Sequence, residues 1–281
     1  MSQQITKIKT RIHSVSSALK VTSAMKLVST AKLKKWKNKM LANREFSSSL
    51  DDIVASVLKY AKKAKTPFTQ ENSGVDKNLY IIISSTLGLC GSYNANIFRL
   101  ADINLRPEDD AIILGGKGIS HFENGNFTKI DDFSNYSSIN DQTTITKIAK
   151  YAMEGFIKKQ YREIHLIYTH YVNSLAFTPK DCLILPLTKK EEEINPLDAP
   201  ILEPDEKTLV NTLVPIYIQS TIYAKFLESE VCEQASRSNA MENATDNAKE
   251  ILETLQIEFN KARQGAITQE IIEVVGAAEA L

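Results

Sequence analysis

Glycine is almost missing from both ends of the chain. Residues 1–73 contain none and a single proline, Pro67; residues 205–264 contain none and only Pro215. Eight of the ten glycines lie between Gly74 and Gly155. Because glycine and proline punctuate turns, both ends are predicted to be long uninterrupted helices and the middle a turn-rich domain. Cysteine is scarce as well. Cys90, Cys182 and Cys232 are far apart and make no metal-spaced pair, so no disulfide framework is expected and a reduced cytosolic setting is the simplest reading. There is no run of about 18 apolar residues, so no segment is expected to span a bilayer. The N-terminus, with Lys7, Lys9, Arg11 and His13, lacks the apolar core of a signal peptide. Net charge is missing too, with 34 basic and 34 acidic residues in 281, and gives no pull toward nucleic acid or membrane. Apolar residues at 43% exclude disorder, and the length allows one or two domains.

What is present is unevenly distributed. Residues 1–44 carry eleven Lys/Arg and no acid, whereas residues 207–281 carry six basic and eleven acidic residues. Two oppositely charged helical ends are expected to pack together. Periodicity agrees. Ile5, Ile8, Ile12, Val15, Leu19 and Thr22 step by three and four, as do Leu33, Trp36 and Met40, then Phe46, Leu50, Ile53, Val57 and Tyr60. Leu209, Leu213, Ile216, Ser220, Tyr223 and Leu227 repeat the pattern near the other end. Met241, Ala244, Ala248, Ile251 and Leu255 continue it, followed by Phe259, Ala262 and Ala266. This spacing is the seam of a left-handed coiled coil. Helices of about 60 and about 70 residues, ~90 Å and ~105 Å, follow at 1.5 Å per residue. Two amphipathic helices lying on a globular core are the alternative, but such lengths exceed any core the middle could offer. Residues near 10–50 are therefore expected to run antiparallel to residues near 215–255.

The middle reads as a Rossmann-like α/β domain. Residues 79–85 (LYIIISS) form an apolar run of strand length, and residues 111–114 (AIIL) form another ending at Gly115, Gly116 and Gly118. Short strands are predicted at 127–130, 164–168 and 182–187, with helices at 94–103 and 143–160. Apolar strands alternating with helices imply about five strands in a mostly parallel sheet covered on both faces. The expected divisions are a first helix at 1–66, the α/β domain at 67–190, an acidic proline-containing connector at 191–206 and a last helix at 207–281.

An enzyme motif is hard to find. Gly88-Leu89-Cys90-Gly91 follows a strand and precedes a helix, where a phosphate loop would sit, but it is not Gly-x-Gly-x-x-Gly. Gly115-Gly116-Lys117-Gly118 is not Gly-x-x-x-x-Gly-Lys-[Ser/Thr]. Tight turns need glycine for backbone reasons alone. A cysteine at a helix start can be activated, although a buried packing role for Cys90 is the simpler reading. His13, His121, His165 and His170 have no ligand spacing. No catalytic residue, cofactor or metal is therefore assigned. Lys32, Lys34, Lys35, Lys37 and Lys39 surround the first helix. Such a cluster suits either nucleic acid or acidic loops of a protein partner, and overall neutrality favours the protein. Ile271, Ile272, Val274, Val275 and Leu281 crowd a final stretch with no basic residue, which calls for a covering surface.

Ala24-Met25-Lys26-Leu27-Val28 with Ala31-Lys32-Leu33 resembles the first-helix signature of the gamma subunit of F-type ATP synthase. Gly88-Leu89-Cys90-Gly91 with Asn94 resembles a turn of that family. RSNAMENATDNA at residues 237–248 and NKARQGAITQE at 260–270 are similar to its last-helix signatures, and Gly276-Ala277-Ala278 fits too. The resemblance covers the chain in order. It implies a non-catalytic rotor shaft inside a ring of alpha and beta subunits, its α/β domain standing on the c-subunit ring beside the epsilon subunit. It also implies a peripheral place at the cytoplasmic face of the membrane, attached through the complex only, with no nucleic-acid partner. By position, Met25, Lys26 and Arg237 match contacts to the acidic lever loop of beta. Arg263, Gln264, Thr268 and Glu270 match contacts to its catch loop.

Some positions depart from the pattern. Thr86-Leu87 replaces the usual Asp-Arg pair, Ser238 a usual methionine and Gly265 a usual alanine, and no redox insertion is evident. Readings in other classes are a coiled-coil scaffold or nucleic-acid-binding protein using Lys32–Lys39, and a nucleotide-binding α/β enzyme with helical appendages.

Overall fold

The computed structural model describes residues 2–60, 66–130, 142–187, 203 and 205–279. Two helices frame the chain, α1 (Ser2–Tyr60) and α5 (Glu206–Glu279). Their 59 and 74 residues match the expected lengths and charge partition. The chain divides into two compact units, one of Met1–Thr30 with Arg237–Leu281, the other of Ala31–Ser236. Residues 61–65, and 191–202 and 204 of the expected connector, lie outside the described residues.

Burial along α1 follows one heptad register from end to end. Ile5, Ile8, Ile12, Val15, Leu19, Thr22, Lys26, Ser29, Leu33, Trp36, Met40, Asn43, Ser47, Leu50, Val54 and Val57 are all buried or half-buried. Two expected seam residues are wrong: Phe46 and Ile53 are 56% and 51% exposed. The true seam passes through polar residues there, Asn43 donating to the Ser47 hydroxyl at 2.8 Å. An apolar-only reading jumps to the neighbouring face. On α5, Ile216 and Ile251 are likewise exposed. The seam near Ile251 runs through Met241, Thr245, Ala248, Leu252, Leu255 and Phe259, all at least half-buried. Near Ile216 the fully covered stripe is Val210, Val214, Ile218, Ile222 and Phe226, which packs on the sheet as well as on α1.

The start of α5 is set locally. Asp205 accepts the Thr208 backbone N–H at 2.9 Å and the Thr208 hydroxyl at 2.7 Å, the geometry of an N-cap. These bonds, first the hydroxyl's, hold the Asp205 carboxyl below the usual carboxylate range.

Within Ala31–Ser236 the core is a five-stranded sheet. Its strands are β1 (Leu79–Ile83), β2 (Asp110–Leu114), β3 (Thr128–Lys129), β4 (Ile164–Tyr171) and β5 (Phe177–Leu185). They lie in the order β3-β2-β1-β4-β5, all parallel except β5, which returns antiparallel along β4. The helices α2 (Tyr93–Asn104), α3 (Gly116–His121) and α4 (Gln142–Ile157) complete it. Strand alternation sorts side chains to two faces. Leu79, Ile81, Ile83, Ile112, Leu114 and Leu166 meet α4, the end of α1 and the start of α5. Tyr80, Ile82, Ala111, Ile113 and Ile167 meet Ile97 and Ala101 of α2 and Phe122 just after α3. A mostly parallel sheet covered on both faces is thus observed. The fifth strand is longer than expected and forms a hairpin, because Asn173 caps the turn by accepting the Leu175 and Ala176 amides at 2.9 and 2.8 Å. Only Phe177 is apolar in residues 177–181, and Thr178-Pro179-Lys180-Asp181 after it carries no strand pattern, so the expected strand begins late.

The β2–α3 turn explains the glycines at 115–118. Gly115 has φ +101°, and a Cβ there would stand 2.2 Å from the Ser84 carbonyl oxygen. Gly118 donates its N–H to the Ser84 hydroxyl at 2.9 Å, and a Cβ on it would fall 2.4 Å from that oxygen. Backbone approach, not a ligand, accounts for both. Gly115→Ala should destabilise the protein by at least ~2 kcal/mol, the range for a strained backbone conformation, as read from its denaturant midpoint.

His165 on β4 sits between two carboxylates, Nδ1 at 2.9 Å from Asp181 and Nε2 at 3.2 Å from Glu163, and stacks on Tyr80. Burial disfavours its charged form, but the bonds and charges of Asp181 and then Glu163 outweigh that and raise its pKa. A raised folded-state pKa means protonation stabilises the fold. That contribution is complete below the unfolded value of about 6.5 and is lost as pH rises through the folded value. The stability gap between the protein and a His165→Gln variant should therefore be widest below about pH 6.5 and shrink as pH rises above it. Chemical denaturation at each pH checks this.

Candidate functional site on the paired helix ends

In the unit of Met1–Thr30 and Arg237–Leu281, three polar contacts set the register of α1 against α5. Thr245 donates to the Thr22 hydroxyl at 2.9 Å, Lys26 Nζ meets Glu242 Oε1 at 2.7 Å, and the Thr30 and Ser238 hydroxyls lie 3.1 Å apart. As the first number of each pair rises the second falls, so the helices are antiparallel, as expected. Further along, Gln4 and Ile8 face Glu258, Lys261, Ala262 and Gly265 across an open groove of about 350 Å³. A Cβ on Gly265 would meet nothing within 4 Å.

This register places each residue singled out from sequence. Met25 and Lys26 are half-buried at the seam and Arg237 is buried. Sequence reading missed Glu242, which takes Lys26 as its partner; charge complementarity signalled that such pairs exist but not which residues meet. Lys249 bonds to Asp246 at 2.9 Å one turn further on. That bond first, then the Lys249 charge and more weakly that of Lys26, holds the Asp246 carboxyl low. Arg263, Gln264, Thr268 and Glu270 are all exposed. At about 100° per residue they occupy one side of α5, opposite the side that Glu258, Lys261, Ala262 and Gly265 turn to α1. They form one outward-facing set, beginning 26 residues of α5 beyond Arg237 and 21 beyond Glu242, the partner of Lys26.

Beyond Ala266 the helix continues without cover from α1. Ile272 lies on the seam side yet is 58% exposed, and Ile267, Ile271, Val274 and Val275 are exposed on the outward side. The last stretch of α5 thus presents apolar residues that none of the described residues of this unit buries; Leu281 of the expected cluster lies outside the described residues.

The catalytic alternatives find no geometry. Cys90 is 2% exposed, accepts a bond from Asn94 Nδ2 at 3.3 Å and lies 3.7 Å from the Ser85 hydroxyl, a packing role. Asn94 also bonds Ser85, tying the Gly88–Gly91 turn to β1. Among the described residues there is no group of three His, Cys, Asp or Glu side chains that could hold a metal ion. Among the same residues no helix is long and apolar enough to cross a membrane. Lys32, Lys34, Lys35, Lys37 and Lys39 are exposed around buried Trp36, with the Lys39 ammonium 4.7 Å from the indole centre.

A family model described as ATP synthase matches residues 4–281. The ATP synthase gamma chain of Mycoplasma capricolum subsp. capricolum is 35% identical over 274 residues, covering 96% of each chain. The chain belongs to the ATP synthase gamma family. A second relative, the sodium ion specific ATP synthase gamma chain of Acetobacterium woodii, is 32% identical over 308 residues and is covered in full. Among solved structures, the central stalk and c-ring of the Tetrahymena thermophila mitochondrial ATP synthase gives a TM-score of 0.58 at 25% identity, covering 80% of this chain. A chain of the Euglena gracilis mitochondrial enzyme gives 0.68 over all of this chain, a likeness of fold at 18% identity. A gamma chain is a non-catalytic central-stalk subunit of the F-type ATP synthase, the catalytic sites belonging to beta. The scaffold, nucleic-acid and nucleotide-enzyme readings are not supported.

Lys26 and Glu242 are 37% and 51% exposed, so their ion pair is well solvated. A double-mutant cycle on Lys26→Ala and Glu242→Ala should give a coupling below ~1 kcal/mol in stability, because exposed pairs are screened and entropically costly. Thermal or denaturant unfolding of the four proteins measures it.

Proposed function

We propose that this chain is the turning shaft of its ATP synthase, carrying rotation from an ion-driven ring of c subunits to the three alpha and three beta subunits. Residues 67–190 would be the foot on that ring, beside the epsilon subunit. Residues 1–66 and 207–281 would be the shaft, with 191–206 connecting them. Proton or sodium flow drives the ring, and the asymmetric shaft forces the beta sites through different nucleotide affinities. Attachment to the membrane is through the complex, at its cytoplasmic face.

The single observation that carries this reading is the family match along the whole chain, both helices and the central sheet included. The exposed positions add support. Arg263, Gln264, Thr268 and Glu270 share one outward side, suited to the catch loop of beta. Leu27 and Val28 are 72% and 56% exposed beside half-buried Met25 and Lys26, suited to its lever loop, whereas Arg237, matched to the same loop by position, is 5% exposed and takes no share in this exposed set. Charge-assisted hydrogen bonds can bear force and be remade at each step. The apolar residues beyond Ala266 suit a bearing, since apolar contact is non-directional and no strong bond must break as the helix turns.

Bearing and force contact should separate under mutation. A chain ending at Glu270 should lower the yield of assembled complex while sparing hydrolysis in what assembles. Joint substitution of Gln264 and Thr268 by alanine should leave assembly intact and slow hydrolysis about tenfold, the effect of two modest hydrogen bonds. Complex yield and ATPase rate are measured for both. Loss of turnover in fully assembled truncated complex, with a silent double substitution, would reverse the assignment.

A further inference from the structure

Strand β4 outruns its neighbour β1. The last pair between them is Ile82 with Ile167, and β4 continues to Tyr171. Its next backbone groups on the β1 side find no strand, and helix α5 supplies the partners instead. The Thr169 amide donates to the Ser229 hydroxyl at 3.0 Å, and the Tyr171 amide to Glu228 Oε1 at 3.1 Å. The Cys232 thiol donates to the Thr169 carbonyl at 3.6 Å. One turn on, the Ser236 hydroxyl donates to the Cys90 carbonyl at 2.6 Å, in the turn that follows β1. Glu228 Oε2 lies 3.5 Å from Lys225 Nζ, Oε1 lies 2.6 Å from His170 Nδ1 without the alignment of a hydrogen bond, and Lys225 lies over the Tyr168 ring. Residues 225, 229, 232 and 236 step by four, three and four, with 228 three beyond 225 and four before 232, and so form one stripe of α5. Ser229 and Cys232 are fully buried and Ser236 nearly so.

We infer that this stripe is a clutch: Glu228, Ser229, Cys232 and Ser236 fix the rotary setting of α5 on the sheet, and are positioning residues for torque transfer. The inference rests on the rotor reading above. Apolar packing alone resists twisting weakly, because burial is non-directional. A hydrogen bond to a strand amide is directional and short-ranged. Turning α5 by one residue, about 100°, would carry Ser229 away from the Thr169 amide and leave a buried donor unmet. Two bonds to strand amides and two to backbone carbonyls, spread over about two turns on one stripe, resist both rotation and sliding of the helix. Lys225, one turn before, lies beside the Glu228 carboxylate whose Oε1 accepts the Tyr171 amide.

The test combines two measurements on Ser229→Ala, Glu228→Ala and Glu228→Gln variants of the full chain. In hydrogen exchange, Ser229→Ala should speed the Thr169 amide, and Glu228→Ala the Tyr171 amide, by roughly five- to tenfold, the effect of one lost hydrogen bond. The Ile81 and Ile167 amides should not follow. Glu228→Gln keeps a carbonyl oxygen and should protect Tyr171 better than Glu228→Ala does. In reconstituted complex, Ser229→Ala combined with Glu228→Ala should cut ion-driven ATP synthesis several-fold, with ATP hydrolysis by the ring detached from the membrane within about twofold. Equal acceleration of all core amides, or synthesis and detached hydrolysis falling together, would mean a merely structural role and overturn the clutch. Unchanged synthesis in the double variant would overturn it too. Failure of the unsubstituted chain to enter the complex would instead overturn the rotor reading.

Discussion

The middle of the molecule depends on the burial of one stripe of α5. Val210, Val214, Ile218, Ile222 and Phe226 are covered almost completely, by the sheet on one side and by α1 on the other. Five side chains of this size, at roughly 1.5–3 kcal/mol each, anchor the helix far more strongly than any surface ion pair in the chain. The Trp36 ring of α1 meets Phe226 edge to face at 6.1 Å at the end of the stripe. Once that stripe is seated, Glu228 and Ser229 are delivered to the strand amides that β1 leaves open, and Cys232 to the Thr169 carbonyl. The polar stripe therefore depends on the apolar one. Transfer of apolar area supplies affinity, and hydrogen bonds supply the angle.

Much of this was legible in the residues. Missing glycine and proline marked α1 and α5, and steps of three and four marked their pairing. The LYIIISS and AIIL runs marked β1 and β2. The family signature was carried by long motifs at residues 237–248 and 260–270. What was not legible has a common cause. Ile216, Ile251, Phe46 and Ile53 were placed on the seam because they are apolar, whereas Thr245, Asn43 and Ser47 occupy it. An apolar pattern cannot report a polar seam, and it cannot report which of two partners covers a helix that has two. Glu242 as the partner of Lys26, and Ser229 as the partner of a strand amide, are contacts across long separations that no local spacing encodes.

The polar seam has its own logic. A uniformly leucine seam would let α1 and α5 slide by whole heptads with little penalty. Thr22 opposite Thr245, and Thr30 opposite Ser238, are satisfied in a single register. Polar residues at seam positions are the best-attested device for fixing register and orientation, at some cost in stability. A shift by one heptad, about 10 Å, would move every outward residue of α5 relative to α1 by two turns.

The uncovered end of α5 has a consequence for how helix forms there. A free peptide of this length, about a dozen residues, would be marginally helical in water, because the first turn fixes three residues for one bond. The segment after Ala266 has no such first turn to make. It grows from a stem already held by α1, so each added residue needs only propagation, which is close to neutral for residues of ordinary propensity. The paired stem thus serves as a permanent nucleus for the tip. An apolar rod can therefore be offered in helical form with no partner beside it, and little of the affinity for whatever sleeve it enters is lost to ordering.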